Sequence, residues 1–322
     1  MVAVRMKEEQ EKESFHGHQS VLLAESLEGL AIKPDGVYLD ATFGRGGHAQ
    51  AILNLLGPNG RLLSMDKDPE AIEYAKQKFS FDKRFSIYHG SFADLEKFAL
   101  KQDLVGKISG ILFDLGVSSP QLDDPDRGFS FMRDGKLDMR MDHSQGMDAA
   151  TWIAKVSEKE LSQVLWEYGE ERFARRIAAA IVTAREVAPI DTTLKLAEIV
   201  AKAHPAWQKG RHPATKSFQA IRIALNKELE DLVKGLNQSL EVLALQGRLV
   251  VISFHSLEDR IVKQFMQKHV RSDEHPANLP IKYDGSRIRF KRLGRAIKAS
   301  EKELGVNPRA RSATLRIGEK LL

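Results

Sequence analysis

Residues 38–49 read YLDATFGRGGHA, and the last six, GRGGHA, carry the G-x-G-x-x-G/A spacing of loops that set backbone against an adenosine-containing cofactor. The spacing alone does not choose the cofactor, because any strand-to-helix turn can call for glycines. A dinucleotide puts its pyrophosphate on the helix amino terminus, where unpaired N–H groups face the anion. Here Asp40 stands just before the glycines, Asp66 closes the apolar run RLLSMD, and Asp114 closes ISGILFD. Singly, each acid has a plainer use as a turn former or helix cap, and Asp66 can bind ribose hydroxyls in either class of site. Together, three carboxylates at the ends of three strands repel a pyrophosphate and suit a cation. S-Adenosylmethionine is such a cofactor: it has no phosphate, its sulfonium is positive, and glycines let the backbone approach its adenosine and amino-acid tail. An NAD-dependent dehydrogenase is the competing reading, and it leaves Asp40 and the long segment after Asp114 unexplained.

The acids converge only if the strands that carry them run parallel in one sheet. VYLDATFG, GRLLSMDKD, FSIYHG and ISGILFDLG read as buried strands, while HAQAILNLL and PEAIEYAKQKF read as helices, the second with proline in its first turn. Strands alternating with helices imply a parallel sheet covered on both faces. From Ser118 to Asp142 the periodicity stops, yet Phe129, Phe131 and three methionines remain; a loop of this length inside a compact domain is usually functional. SEKELSQVLWEYG, ERFARRIAAAIVTAREV, LKLAEIVAKAH and KSFQAIRIALNKELEDLVKGLNQSLEVL then read as helices. In the second of these, Phe173, Ile177 and Ile181 mark an apolar stripe and Glu171 with Arg175 an i,i+4 pair on a wetter side. GRLVVISFHS and SATLRIGE return as strands. The expectation is an α/β, Rossmann-like fold with an inserted, mainly helical domain. Residues 18–121 and 223–322 make the first domain, 122–222 the insert, and 1–17 a solvated, disordered tail.

Composition narrows the function classes. The chain has 322 residues, 42% hydrophobic and 29% charged, enough for a large core and a soluble surface. It lacks the run of about 18 apolar residues that a membrane helix needs, and the charged start MVAVRMKEEQEKES has no apolar core of a secretory signal. With no cysteine, disulfides, thiolate zinc sites and cysteine nucleophiles are excluded. A soluble intracellular protein, cytoplasmic in location, fits all of this. Between Arg271 and Leu322 there are 13 lysines and arginines against six acids, whereas the whole chain is only +5. Positive charge is thus concentrated in SRIRFKRLGRAIK and NPRARSATLR, either as a solvated face or as a surface that neutralises nucleic-acid phosphates.

DATFGRGGHA, DKDPEAI, FDLGVSSPQLDDPDRGFSFMRDGKLDMRMD, GEERFARRIA, HPATKSFQAIRI, ISFHSLEDRIVKQF and NPRARSATLR together resemble the bacterial 16S rRNA cytosine-N4 methyltransferase family, also called RsmH or MraW. The resemblance runs in order from about His18 to Ile317. It implies a class I methyltransferase domain with a helical insert, S-adenosylmethionine as cofactor, and 16S rRNA in the small ribosomal subunit or its late assembly form as substrate. Carried over, the cofactor contacts are Gly46, Gly47 and His48 in the glycine loop, Asp66 for the ribose, Phe92 after the third strand, Asp114, and Gln121 past the following turn. No membrane partner and no metal are implied.

The acceptor that the resemblance implies, an exocyclic cytosine amine, is a poor nucleophile and needs alignment and a hydrogen-bond acceptor. Amino-methyltransferases of DNA commonly place D/N/S-P-P-Y/F/W at the end of the fourth strand. This chain has Asp114-Leu115-Gly116-Val117 there, without the proline and aromatic that clamp a base. Asp114 is the catalytic candidate, with Ser118, Ser119 and His255 as further ones. Arg172, Arg175 and Arg176, the group Lys209, Arg211, His212 and Lys216, and the carboxy-terminal Arg289, Lys291 and Arg292 are the candidate phosphate contacts.

Overall fold

The computed structural model describes residues 20–207, 212–270 and 290–321. The expected tail, Lys209, Arg211 and Arg289 lie outside the described residues. Strands β1 (Val37–Asp40), β2 (Arg61–Asp66), β3 (Phe85–His89), β4 (Ile108–Asp114), β5 (Leu243–Ser253), β6 (Phe290–Lys298) and β7 (Thr314–Lys320) form one sheet in the order β3-β2-β1-β4-β5-β7-β6. β1 to β5 are parallel, and β7 runs antiparallel to both neighbours. Because β1, β2 and β4 are parallel neighbours, their last residues, Asp40, Asp66 and Asp114, share one edge of the sheet. The sequence order is reversed at β1, where β2 and β4 leave on opposite sides, and a crevice at such a switch point is where α/β sheets bind ligands.

Two apolar layers hold the sheet. On one face α1 (Leu23–Leu30), α2 (Gly47–Leu55) and α3 (Pro69–Phe79) bury Leu30, Ile52, Leu53 and Phe79 against Tyr38, Leu62 and Val250. The other carries α4 (Leu95–Lys101), and Leu95 and Phe98 meet Leu63, Ile111 and Phe113 there. Asp68 caps α3 by accepting from the N–H of Glu70, and Pro69 occupies a first-turn position where its missing N–H costs nothing.

The segment from Ser118 to Asp142 is more structured than its lack of periodicity suggests. It opens with α5 (Ser119–Asp123) and a 3₁₀ turn at Pro125–Arg127, and Lys136 bridges Thr192. Helices α6 (Ala149–Lys155), α7 (Glu158–Gly169), α8 (Ala174–Val187), α9 (Thr193–Ala203) and α10 (Ala214–Asn226) then bury a core of their own, with Leu161, Leu165, Ile177, Ile181, Phe218 and Ile221 inside it. Ile177 and Ile181 are the expected stripe, but Glu171 and Arg175 do not pair as i,i+4 neighbours. Helix α8 starts at Ala174, so Glu171 lies before it, buried, accepting from the N–H of Phe173.

The stretch from Lys216 to Val242 is likewise not one helix. Lys227 takes φ +53, ending α10 and starting α11 (Glu228–Val242), which leaves the helical core and packs Leu232, Leu236 and Leu240 on the sheet. Helix α12 (Ser256–Val270) covers the same face, and α13 (Glu301–Val306) lies between β6 and β7. The basic FKRLGRAIK is a strand, not a tail: it forms β6, with Lys291, Arg292 and Arg295 exposed. Its pairing with β7 slips between Leu293 and Ile297, beside Gly294 at φ +68. Among the described residues no helix is long and apolar enough to cross a membrane.

Ile181→Ala removes a fully buried side chain from the helical core and is expected to cost about 2–5 kcal/mol. Chemical denaturation should show that loss with S-adenosylhomocysteine affinity unchanged, because the side chain belongs to a cluster separate from the sheet.

Candidate active site

A cavity of about 550 Å³ opens at the carboxyl ends of the parallel strands. Its floor is the glycine loop between β1 and α2, and that loop is pinned by acids. The Gly44 N–H donates to Asp66 Oδ2 at 2.7 Å, and the Asp68 N–H donates to Asp66 Oδ1 at 2.8 Å. Thr42 N–H donates to Asp40 Oδ1 at 3.2 Å, and the Asp114 N–H to Thr42 Oγ1 at 2.7 Å. Gly47 and His48 line the cavity, as do Phe92, Asp66, Asp114 and Gln121. Gly46 does not. It caps α2 at φ +72, and a Cβ there would sit 2.7 Å from the Phe43 ring and 2.8 Å from that of Phe79. A branched side chain at Gly46 therefore collides with the aromatic packing under the loop and not with the space above it.

Burial governs the electrostatics. Asp40 is pushed up to about 7, mainly by desolvation with the nearby Asp66 adding to it, and Asp66 rises to about 6, also through burial. Asp114 is raised well above the ordinary carboxylate range by burial and by Asp40 and Glu258. His48 is driven the other way, to about 4, because burial disfavours the imidazolium. Its Nε2 lies 3.2 Å from the Val21 carbonyl and its Nδ1 3.5 Å from Asp114 Oδ2. A neutral His48 that donates from Nε2 to Val21 leaves Nδ1 as an acceptor facing a protonated Asp114. Two carboxylate oxygens, Asp40 Oδ2 and Asp114 Oδ1, are buried with no hydrogen-bond partner among the described residues.

The remaining candidates separate cleanly. Gln121 is buried and heavily used: its Oε1 accepts from the Ser118 N–H at 2.9 Å and its Nε2 donates to Asp68 Oδ2 at 2.8 Å. Arg127 donates to the same Asp68 oxygen at 2.9 Å, tying the segment after β4 to the head of α3. Phe92 packs edge-on to Phe113, ring centres 5.4 Å apart, and also presents to the cavity. Ser118 and Ser119 line the cavity, but His255 does not. Its Nε2 lies 3.2 Å from Glu258 Oε1, so the strand-end histidine is engaged with its own helix.

Sequence reasoning missed the residues opposite. Glu258 and Glu228 line the cavity, and Arg222 grips Glu228 with two hydrogen bonds of 2.8 Å. Burial works against a charge on Glu258, yet His255 and Arg222 hold its pKa below the usual range. The one signal was the glutamate in FHSLED, which reaches back to the N–H groups of Phe254 and His255 as a capping acid does. Asp68, Glu70 and His143 bring possible metal-ligand atoms within 4.8 Å of one another. Arg127 already sits 2.9 Å from Asp68 and 3.1 Å from Glu70, so those two carboxylates are held in an ion-pair network.

Residues 15–321 match the family model described as the MraW methylase family. The chain belongs to that family. It is 58% identical over 304 residues to "Ribosomal RNA small subunit methyltransferase H" of Legionella pneumophila (strain Corby), covering 94% of this chain and 99% of that one. A Coxiella burnetii (strain RSA 331 / Henzerling II) protein of the same name is 56% identical over 95% of this chain and all of its own length. A solved rRNA methylase from Streptococcus thermophilus superposes with a TM-score of 0.42 at 11% identity, covering 95% of this chain and 100% of that one.

The cofactor of this family member is S-adenosylmethionine, and the donor set fits it. A sulfonium in the cavity beside Asp66 and Asp114 favours their ionised forms and gives the unpartnered Asp114 oxygen a charge to face, while Asp40, which does not line the cavity, feels the same charge through the field. A pyrophosphate in the same place would meet three acids. Asp40 ionises only above its raised pKa, near 7, whereas in the unfolded chain it ionises near 3.8. Its protonated form is therefore the one compatible with burial, and the stability that proton secures is lost as pH rises through about 7. The wild type is expected to lose stability relative to Asp40→Asn between about pH 4 and 7, read by thermal unfolding without ligand. A constant difference across that window would show that Asp40 is already ionised. Cofactor binding should release protons near pH 7, measurable by calorimetry in buffers of different ionisation enthalpy.

Proposed function

We propose that this chain transfers a methyl group from S-adenosylmethionine to the exocyclic N4 of a cytosine in the decoding region of 16S rRNA, acting in the cytoplasm on the small ribosomal subunit or its late assembly form. The observation that carries the reading is the unpartnered carboxylate oxygen of Asp114 at the cavity of an MraW-family chain, with a second such oxygen, on Asp40, buried close enough to raise the proton affinity of Asp114. The cofactor supplies an electrophilic methyl on a positively charged sulfur. The acceptor nitrogen has its lone pair delocalised into the base, so alignment is the protein's main task. Beside a positive charge Asp114 ionises, and Oδ1 accepts a hydrogen bond from the amine. Its elevated proton affinity then suits it to take the proton that the nitrogen sheds once the new bond has formed.

His48, neutral and donating to the Val21 carbonyl, faces the other oxygen of Asp114 with an acceptor nitrogen, which helps hold the proton on Asp114 until a cation arrives. Gly44, Gly47 and Asp66 shape the cofactor side, with Asp66 lone pairs left for ribose hydroxyls and the Phe92 ring for the adenine. Gln121 keeps one amide proton for a ligand while bracing the loop. The target base must reach the cavity unstacked. The 118–142 segment forms the substrate-side wall, since Ser118, Ser119 and Met141 line the cavity from that side, and it leads into the helical unit. Exposed Arg172, Arg175, Arg176, Lys291 and Arg292 supply positive charge for RNA phosphates.

Labelled methyl transfer to 30S subunits and to free 16S RNA, followed by nucleoside analysis, tests this directly: label in N4-methylcytidine is expected. Label in DNA, or none in RNA, would sink the reading. Asp114→Asn should lower kcat by about a hundredfold or more while cofactor binding survives; a preserved kcat would remove Asp114 from proton transfer.

A further inference from the structure

Beside the cofactor cavity lies a smaller one of about 290 Å³, lined by Leu122, Pro125, Ser130, Met132, Arg133 and Arg309, with Asp123 at its rim. Its volume is close to the roughly 300 Å³ at which ligand pockets begin. The two cavities share Arg309, which lines both. The arginine sits on the 3₁₀ turn Pro308–Ser312.

We propose that this smaller cavity is the subsite for an RNA nucleotide flanking the methylated cytosine, and that Arg309 takes the phosphate joining the two. The inference rests on the proposed function and names where its substrate continues. Two guanidinium groups face one small concavity, and a planar guanidinium matches a phosphate with two parallel hydrogen bonds. The Met132 side chain, 84% exposed, offers an apolar, adaptable surface for a base without reading its edge. Continuity supplies the rest: a base delivered into the large cavity must carry its backbone out past the residue that both cavities share.

Asp123 completes the device. Its Oδ1 accepts from Arg309 Nη2 at 2.6 Å, while its carbonyl accepts from Arg133. The ion pair is open to water, with the Arg309 side chain 37% and that of Asp123 52% exposed. A pair this exposed contributes little, so a phosphate can take the aspartate's place. Asp123 then acts as a stand-in that keeps Arg309 extended toward the rim before RNA arrives.

The two signs of charge give opposite expectations. Steady-state methylation of 30S subunits should show R309Q and R133Q each raising KM by about tenfold, the effect of losing a charge-assisted hydrogen bond, with S-adenosylhomocysteine affinity unchanged. D123N should lower KM, and that gain should vanish in the R309Q background. Loss of S-adenosylhomocysteine affinity in R309Q that matches its KM rise would assign Arg309 to the cofactor instead. A D123N gain that persists in the R309Q background would reduce the effect to general charge. Wild-type transfer to the same subunits keeps a failure of this subsite distinct from a failure of the activity itself.

Discussion

The site depends on one carboxylate. Asp66 accepts a backbone N–H on each oxygen, from Gly44 across the glycine loop and from Asp68 at the head of α3. It adds a side-chain tie to the backbone bond from Phe43 to Met65 that seats the loop, and it fixes the N–H of the residue that caps α3. Asp68, so placed, becomes the anchor for Gln121 and Arg127. The chain of contacts therefore runs from the cofactor floor, through two acids two residues apart, into the segment that forms the substrate side. A half-buried carboxylate that organises its surroundings while keeping lone pairs for a ligand serves structure and binding at once.

The second dependence is on burial without neutralisation. Asp40 and Asp114 lie among apolar strands, and each has an oxygen with no partner among the described residues. An unpaired buried polar atom is costly, and three neighbouring acids compound the cost through repulsion. Protonation relieves part of it, as the raised pKa values of Asp40, Asp66 and Asp114 reflect. A cation relieves the rest. The same imbalance that weakens the empty site selects for a positively charged ligand.

Much of this was legible in the sequence because the decisive residues occupy positions that local pattern defines. Asp40, Asp66 and Asp114 end apolar runs, and parallel pairing of those runs suffices to bring them together. Gly46 was legible as a turn residue, though not the direction it faces, since Phe43 and Phe79 reach it from different elements. Phe92 followed from family resemblance alone; its periodicity does not separate a ligand face from core. Arg222, Glu228 and Glu258 escaped because they meet only once α10, α11 and α12 have packed. The helix break at Lys227 carried no glycine or proline to announce it. Local rules see strand ends; they do not see partners brought by tertiary packing.

Strand β6 is one edge of the described sheet, and it is bulged and studded with exposed cations. Those traits read differently from the standpoint of self-association. An open edge presents unpaired N–H and C=O groups to any other strand in solution, a second copy of this chain included. Lys291, Arg292 and Arg295 would set like charge against like charge in such a pairing, and the slip beside Gly294 bends the strand out of register for it. The positive charge concentrated here therefore also acts as a guard against sheet-to-sheet growth, keeping an α/β enzyme with an open edge from becoming the seed of an aggregate.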